Sequence, residues 1–135
     1  MPDIHANGQR GVHLGSLITH SAASAGVTSP IFPTYSGAGA LVFINITAIS
    51  GTSPTLTVTL KGMIDEAGTN SYTILATTAL NATGLTVLRV YPGLTAAANA
   101  TANDVVPSHC QLVSAIGGTG PSVTATVAYY SLTAG

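Results

Sequence analysis

Along residues 55–62, TLTVTLKG, apolar and polar positions alternate without a break. Leu56, Val58 and Leu60 point one way, and Thr55, Thr57, Thr59 and Lys61 the other. A period of two is the signature of a strand with one buried face. The run ALVFINITAIS, residues 40–50, is apolar on both faces, as a strand in the middle of a sandwich is. SYTILATTAL (71–80), GLTVLRVY (84–91), HCQLVSAI (109–116) and SVTATVAYYSL (122–132) bring the set to at least six. Gly and Pro interrupt these runs at short intervals, and no helical period survives between them. The pattern predicts an all-β chain, an antiparallel β-sandwich of jelly-roll or Ig-like type, over residues 40–135.

Two of the interruptions are nearly the same. AISGTSPTLTVTL (48–60) and AIGGTGPSVTATV (115–127) align without a gap at an offset of 67. Each joins one predicted strand to the next, so SGTSP and GGTGP are expected to be hairpin connections. Glycine supplies a positive φ where the chain reverses, and proline opens the returning strand. The pair reads either as two pseudo-symmetric hairpins or as two good turns that converged on one chemistry.

Two regions lie outside the alternation. Residues 92–107, PGLTAAANATANDVVP, form a long connection rich in Ala and Asn, with room for a short helical turn; loops of this length are often functional. Residues 1–39 are rich in Gly, Ser, Ala and His, with one strand-like run at 11–21. They suit an extended N-terminal arm that pairs with a neighbour, the alternative being a first edge strand with a loose tail.

Composition changes the picture in one respect. Only seven of 135 residues are charged, 5% where an ordinary domain has about a quarter, and the net charge is −1. Twenty Thr keep the surface polar without charge. So little charge gives weak protection against self-association, and the surface is easier to understand if neighbours in an assembly cover much of it. Three scattered cations make no electrostatic footprint for nucleic acid. No run of 18 apolar residues predicts a membrane helix, and the first eleven residues do not read as a signal peptide. The single cysteine, Cys110, has no partner for an internal disulfide and reads as a small buried hydrophobe. Synthesis in a reducing cytoplasm is expected.

The inventory for chemistry is thin. Asp65 and Glu66 are adjacent and face apart on a strand, so a solvated hairpin tip is expected rather than a carboxylate pair. His13 and His20, seven apart, fall on opposite faces of an extended segment, and no further ligand completes a metal site. There is no nucleophile elbow and no phosphate-binding loop. No enzyme, metal or cofactor is expected.

The segment VLRVYPGLTAAANATANDVVP (87–107), together with ITAISGTSPTLTVTLKG (46–62) and YTILATTALNATG (72–84), resembles small virion structural proteins of tailed bacteriophages. The resemblance covers about residues 40–130 and is most specific in RVYPGLTAAANATAND. It departs after DVVP, where SHCQLV stands in place of the expected Arg and aromatic. It implies a capsid decoration protein, bound to the major capsid protein on the outer surface of the virion as a homo-oligomer, a trimer before a dimer. The alternatives are a tail or baseplate protein, or a module stacking tyrosines on host-surface sugars. Residues expected to contact partners are Arg10, His13, His20, Phe32 and Tyr35 from the arm, and Arg89 and Tyr91 at the 92–107 loop.

Overall fold

A computed structural model describes residues 9–34, 39–65 and 69–134; of 9–15 and 133–134 it describes the backbone alone. The described chain is all-β, without a helix. Its strands are β1 (Gln9–Ala23), β2 (Phe32–Pro33), β3 (Gly39–Met63), β4 (Ser71–Ala76), β5 (Gly84–Val90), β6 (Thr101–Ala102) and β7 (His109–Ala134). All seven belong to one mixed sheet, ordered β1-β7-β3-β5-β6, with β2 on β7 and β4 on β3. Every pairing is antiparallel except β5 with β6.

The two near-repeats do not make hairpins, which corrects the expectation. The chain runs straight through both, so 40–50 and 55–62 are one strand, as are 109–116 and 122–132. β3 and β7 pair along their whole length, from Gly39 opposite Leu132 to Gly62 opposite Cys110. The repeats therefore lie across from one another. Thr52 pairs with Thr119, its own counterpart at the offset of 67, with register shifts on either side.

The backbone repeats with the same offset. Gly51 and Gly118 have φ of 121° and 108°, and Ser53 and Gly120 have φ of 49° and 58°. A Cβ on Gly51 would meet the Gly120 carbonyl oxygen at 2.7 Å and Pro121 Cα at 2.9 Å; one on Gly118 would meet the Ser53 oxygen at 2.6 Å and Pro54 Cα at 2.9 Å. Two irregular strands thus nest in each other about a local two-fold axis at Thr52 and Thr119. The prolines sit where the ladder is interrupted, so their missing N–H groups cost little.

This centre divides the sheet into two halves. Residues 39–50 and 122–134 are flanked by β5 and β1. Residues 55–63 and 109–117 are flanked by β4 on one side. On the other side run residues 27–34, through the Thr28–Val113 bridge and the β2 pairing. Residues 9–34 thus line β7 nearly end to end, so over that span the expected arm is an interrupted edge strand of its own chain. The reason is local: β7 would otherwise leave its outer backbone groups without partners. Residues 1–8 lie outside the described residues.

Alternation fills the core as expected. Val42, Ile44, Ile46, Leu56, Val58, Leu60, Leu88, Leu112, Val123 and Val127 are buried, and both halves contribute to one apolar cluster. Several contacts join the halves directly: Phe32 meets Tyr129 edge-on at 4.7 Å, and the His20 ring bonds Ser114. Most polar side chains buried in and around this core are paired, the Tyr129 hydroxyl being the exception among the described residues. Ser29 Oγ accepts from the Leu112 amide, Thr77 Oγ1 accepts from that of Val58, and Ser131 Oγ donates to the Thr34 carbonyl.

Candidate functional site

The seven residues expected to meet partners divide into three groups. Two are turned inward. Phe32 is only 6% exposed, and its ring packs on Tyr129, so it is a core residue of its own chain. His20 is 2% exposed. Neither side chain is offered at the surface, because the segment that carries them covers β7 instead of leaving it. Arg10 and His13 stand in β1 opposite Thr133 and Tyr130, placed by their backbone register alone. Tyr35 lies outside the described residues.

Arg89 and Tyr91 form the third group, and the structure does bring these two together. They close β5, two residues apart on the outward side, and both are exposed. Their amides donate to the carbonyls of Ala100 and Ala102, at 3.0 and 3.2 Å, which ties β5 to β6. Between them the loop is knit by its own side chains. Asn103 Oδ1 accepts from the Gly93 amide, Thr101 Oγ1 donates to the Thr95 carbonyl, and Asn99, at φ 62°, donates to the Ala76 carbonyl. The expected helical turn is a single hydrogen-bonded turn closed by Ala97 and Thr101. The Ala/Asn-rich composition thus serves a tight surface clasp, small residues for close passage and asparagines for the cross-links.

The buried His20 is held neutral. Ser114 Oγ donates its one proton to the Val27 carbonyl at 3.0 Å and accepts from the Val27 amide at 2.8 Å. The remaining contact, to His20 Nε2 at 2.9 Å, therefore takes the ring as donor, which assigns the Nε2–H tautomer. Burial lowers the His20 pKa below its ordinary 6.5. The group is neutral in the fold and protonates more readily in the unfolded chain, so its contribution is complete above pH 6.5 and is lost as pH falls through the lowered folded value. Melting temperature is expected to fall between pH 7 and 5, and His20→Asn to flatten that slope; an unchanged slope would assign it to other groups.

Cys110 is fully buried, and burial pushes its thiol up to about 12. The native protein is expected to ignore an aromatic disulfide reagent at pH 8, with one thiol appearing only in denaturant. Rapid native labelling would contradict the packing of β7 against β3. Asp65 is a turn organiser: its two carboxylate oxygens accept from the Thr69 amide and from Asn70 Nδ2, each at 3.0 Å. Among the described residues no three His, Cys, Asp or Glu side chains converge on a point. No helix among them is long and apolar enough to cross a membrane.

No known family, characterised protein or solved structure matches this chain.

Of the tyrosines considered for sugar stacking, Tyr129 is core, and Tyr130 stands edge-on to Phe43 at 5.2 Å. Among the described residues only Tyr72 and Tyr91 are exposed, at 37% and 38%. What the sequence reading missed is the outer face around Phe43. Leu41 and Phe43 alternate with the buried Ala40, Val42 and Ile44, and they pair with Arg89 and Val87 of β5. Its signal in the sequence is the two-faced apolarity of 40–44, a pattern that a central strand shares.

Proposed function

We propose that this chain is a structural, non-enzymatic component of a tailed-phage particle, a decoration protein that covers the outer capsid surface as a homo-oligomer and contacts the major capsid protein. The stretch RVYPGLTAAANATAND (89–104) carries the reading, since it is the most specific point of resemblance. It forms the exposed clasp along the β5–β6 border, where Arg89 and Tyr91 present the charge and the ring expected to reach a partner.

The fold inferred with it is an antiparallel sandwich, the one sheet doubling back at its paired irregularities. The Phe32–Tyr129, His20–Ser114 and Asn99–Ala76 contacts each join a residue of one half to a residue of the other. Such a body is suited to cover. It is stiff, nearly uncharged and threonine-surfaced, and modest contacts at each site add up over the many equivalent sites of a lattice.

Localisation tests the proposal. The protein is labelled on intact particles and the label imaged. Label spread over the head, in copy number scaling with the capsid lattice, is the expected result. Label confined to the tail would replace the reading with a tail or baseplate role.

A further inference from the structure

Divided at 64–70, the chain consists of two units of the same plan. The first holds β1, β2 and β3; the second holds β4, β5 and β7, with β6 between the last two. Neither is a sheet by itself. Among the described residues every ladder joins a strand of one unit to a strand of the other, the short β5–β6 pair excepted. Each half of the sheet is therefore four strands drawn alternately from the two units, β1-β7-β3-β5 in one and β2-β7-β3-β4 in the other.

The equivalence holds residue by residue. About the local axis at Thr52 and Thr119, Leu56 opposite Ile116 is matched by Val123 opposite Ile49, and Gly62 opposite Cys110 by Tyr129 opposite Val42. The flanking strands obey the same axis. Ile18 opposite Val127 is matched by Leu75 opposite Leu60, and Phe32 opposite Cys110 by Leu88 opposite Val42. The Ala23–Val123 pair is matched by the Leu80–Leu56 bridge. Burial follows the pairing: Ile18 and Leu75 are both buried, and so are Phe32 and Leu88. Even the ends comply, since Gln9 opposite Ala134 answers Ser71 opposite Met63.

One segment has no counterpart. Pro33 and Arg89 hold equivalent places, opposite His109 and Leu41, which are equivalent in turn. Pro33 stands eight residues before Leu41 in the chain, and Arg89 stands twenty before His109. The extra twelve belong to the clasp. Its side-chain bonds from Asn99, Thr101 and Asn103 stay within the second unit.

We propose that the chain is a fused pair: units 9–63 and 71–134 are equivalent, and each is the binding partner that completes the other. Residues 93–104 are an insertion that the pair does not need and that carries the contact with the capsid. The physical reason lies in the edges. Both sides of β3 are covered by the second unit and both sides of β7 by the first, so either unit alone would leave its longest strand with unpaired backbone groups. An element without a two-fold mate gives a two-fold body a single docking side. Only the capsid contact rests on the reading above.

A rearranged full-length chain tests the pair. It begins at Gly68, runs to Gly135, continues from Met1 and ends at Ala67, so no residue is added or lost. The link at 64–70 is opened, and a new one is made where β7 and β1 already meet. The rearranged chain is expected to melt cooperatively within about 10 °C of wild type, because the two links occupy equivalent places. A lower or non-cooperative melt would overturn the equivalence. Deletion of 93–104 leaves Arg89 eight residues from His109. It is expected to keep a cooperative melt and to weaken binding to particles lacking the protein by roughly tenfold or more. Loss of the melt would make the segment part of the body, and unchanged binding would remove it from the contact; either overturns the insertion. A wild type that does not bind particles would end the capsid reading and the contact with it, while the pair is decided by the two melts alone.

Discussion

Gly51→Val and Gly118→Val are expected to be the most damaging single substitutions in the chain, each costing about 3–5 kcal/mol, and each by nearly the same amount. Two effects add. At φ of 121° and 108° a β-branched residue is strained whatever surrounds it. The added side chain also meets backbone, not a flexible side chain: the Gly120 oxygen and Pro121 in one case, the Ser53 oxygen and Pro54 in the other. Backbone in a paired strand moves only by breaking the ladder beside it. Gly120→Asn is the control. Its φ of 58° is the left-handed region that Asn tolerates, and nothing lies within 4 Å of an added Cβ, so the expected change is within about 1 kcal/mol. Urea unfolding of the three variants measures all of this. A large gap between the two valine variants would remove the local two-fold account of the repeat.

The second expected result concerns the ring at the seam between the halves. Tyr129→Ala is expected to cost about 3–5 kcal/mol, because the ring is fully buried against Phe32 and its removal leaves a cavity between two packed elements. Tyr129→Phe is expected to do the reverse, stabilising by about 1 kcal/mol. Among the described residues the buried Tyr129 hydroxyl has no hydrogen-bond partner, so burial there costs the group its solvation without a matching bond. The same burial raises its pKa, with the Cys110 sulfur adding to the effect, so the phenol stays protonated. The comparison separates packing from polarity at one position. A loss of more than about 1 kcal/mol in Tyr129→Phe would mean that the hydroxyl has found a partner.

Both results bear on how legible the molecule was. Tyr129 and Tyr130, adjacent in β7, face opposite ways: one reaches the core and the other the outer face. That follows from the pleat alone and needs no partner. Phe32 and His20 were misread for the converse reason. Nothing in their neighbourhood marks a core strand, and they are buried only because β7 lacks any other cover along that side. Arg89 and Tyr91 are exposed, since a strand ending in Pro-Gly leaves its last outward residues uncovered.

The sequence by itself determined that the chain is made of strands, where most of them run, and which residues of each turn inward. Leu56, Val58 and Leu60, or Val123, Ala125 and Val127, are assigned by a period of two that each strand carries within itself. Tertiary structure decided what the Gly-Thr-x-Pro segments do. A glycine with positive φ beside a proline serves a chain reversal or an irregularity in a continuing strand equally well. The choice between them is made by what lies opposite. Here the segment opposite is the same segment, 67 residues on, bent in the same way, and only against each other do the two fit.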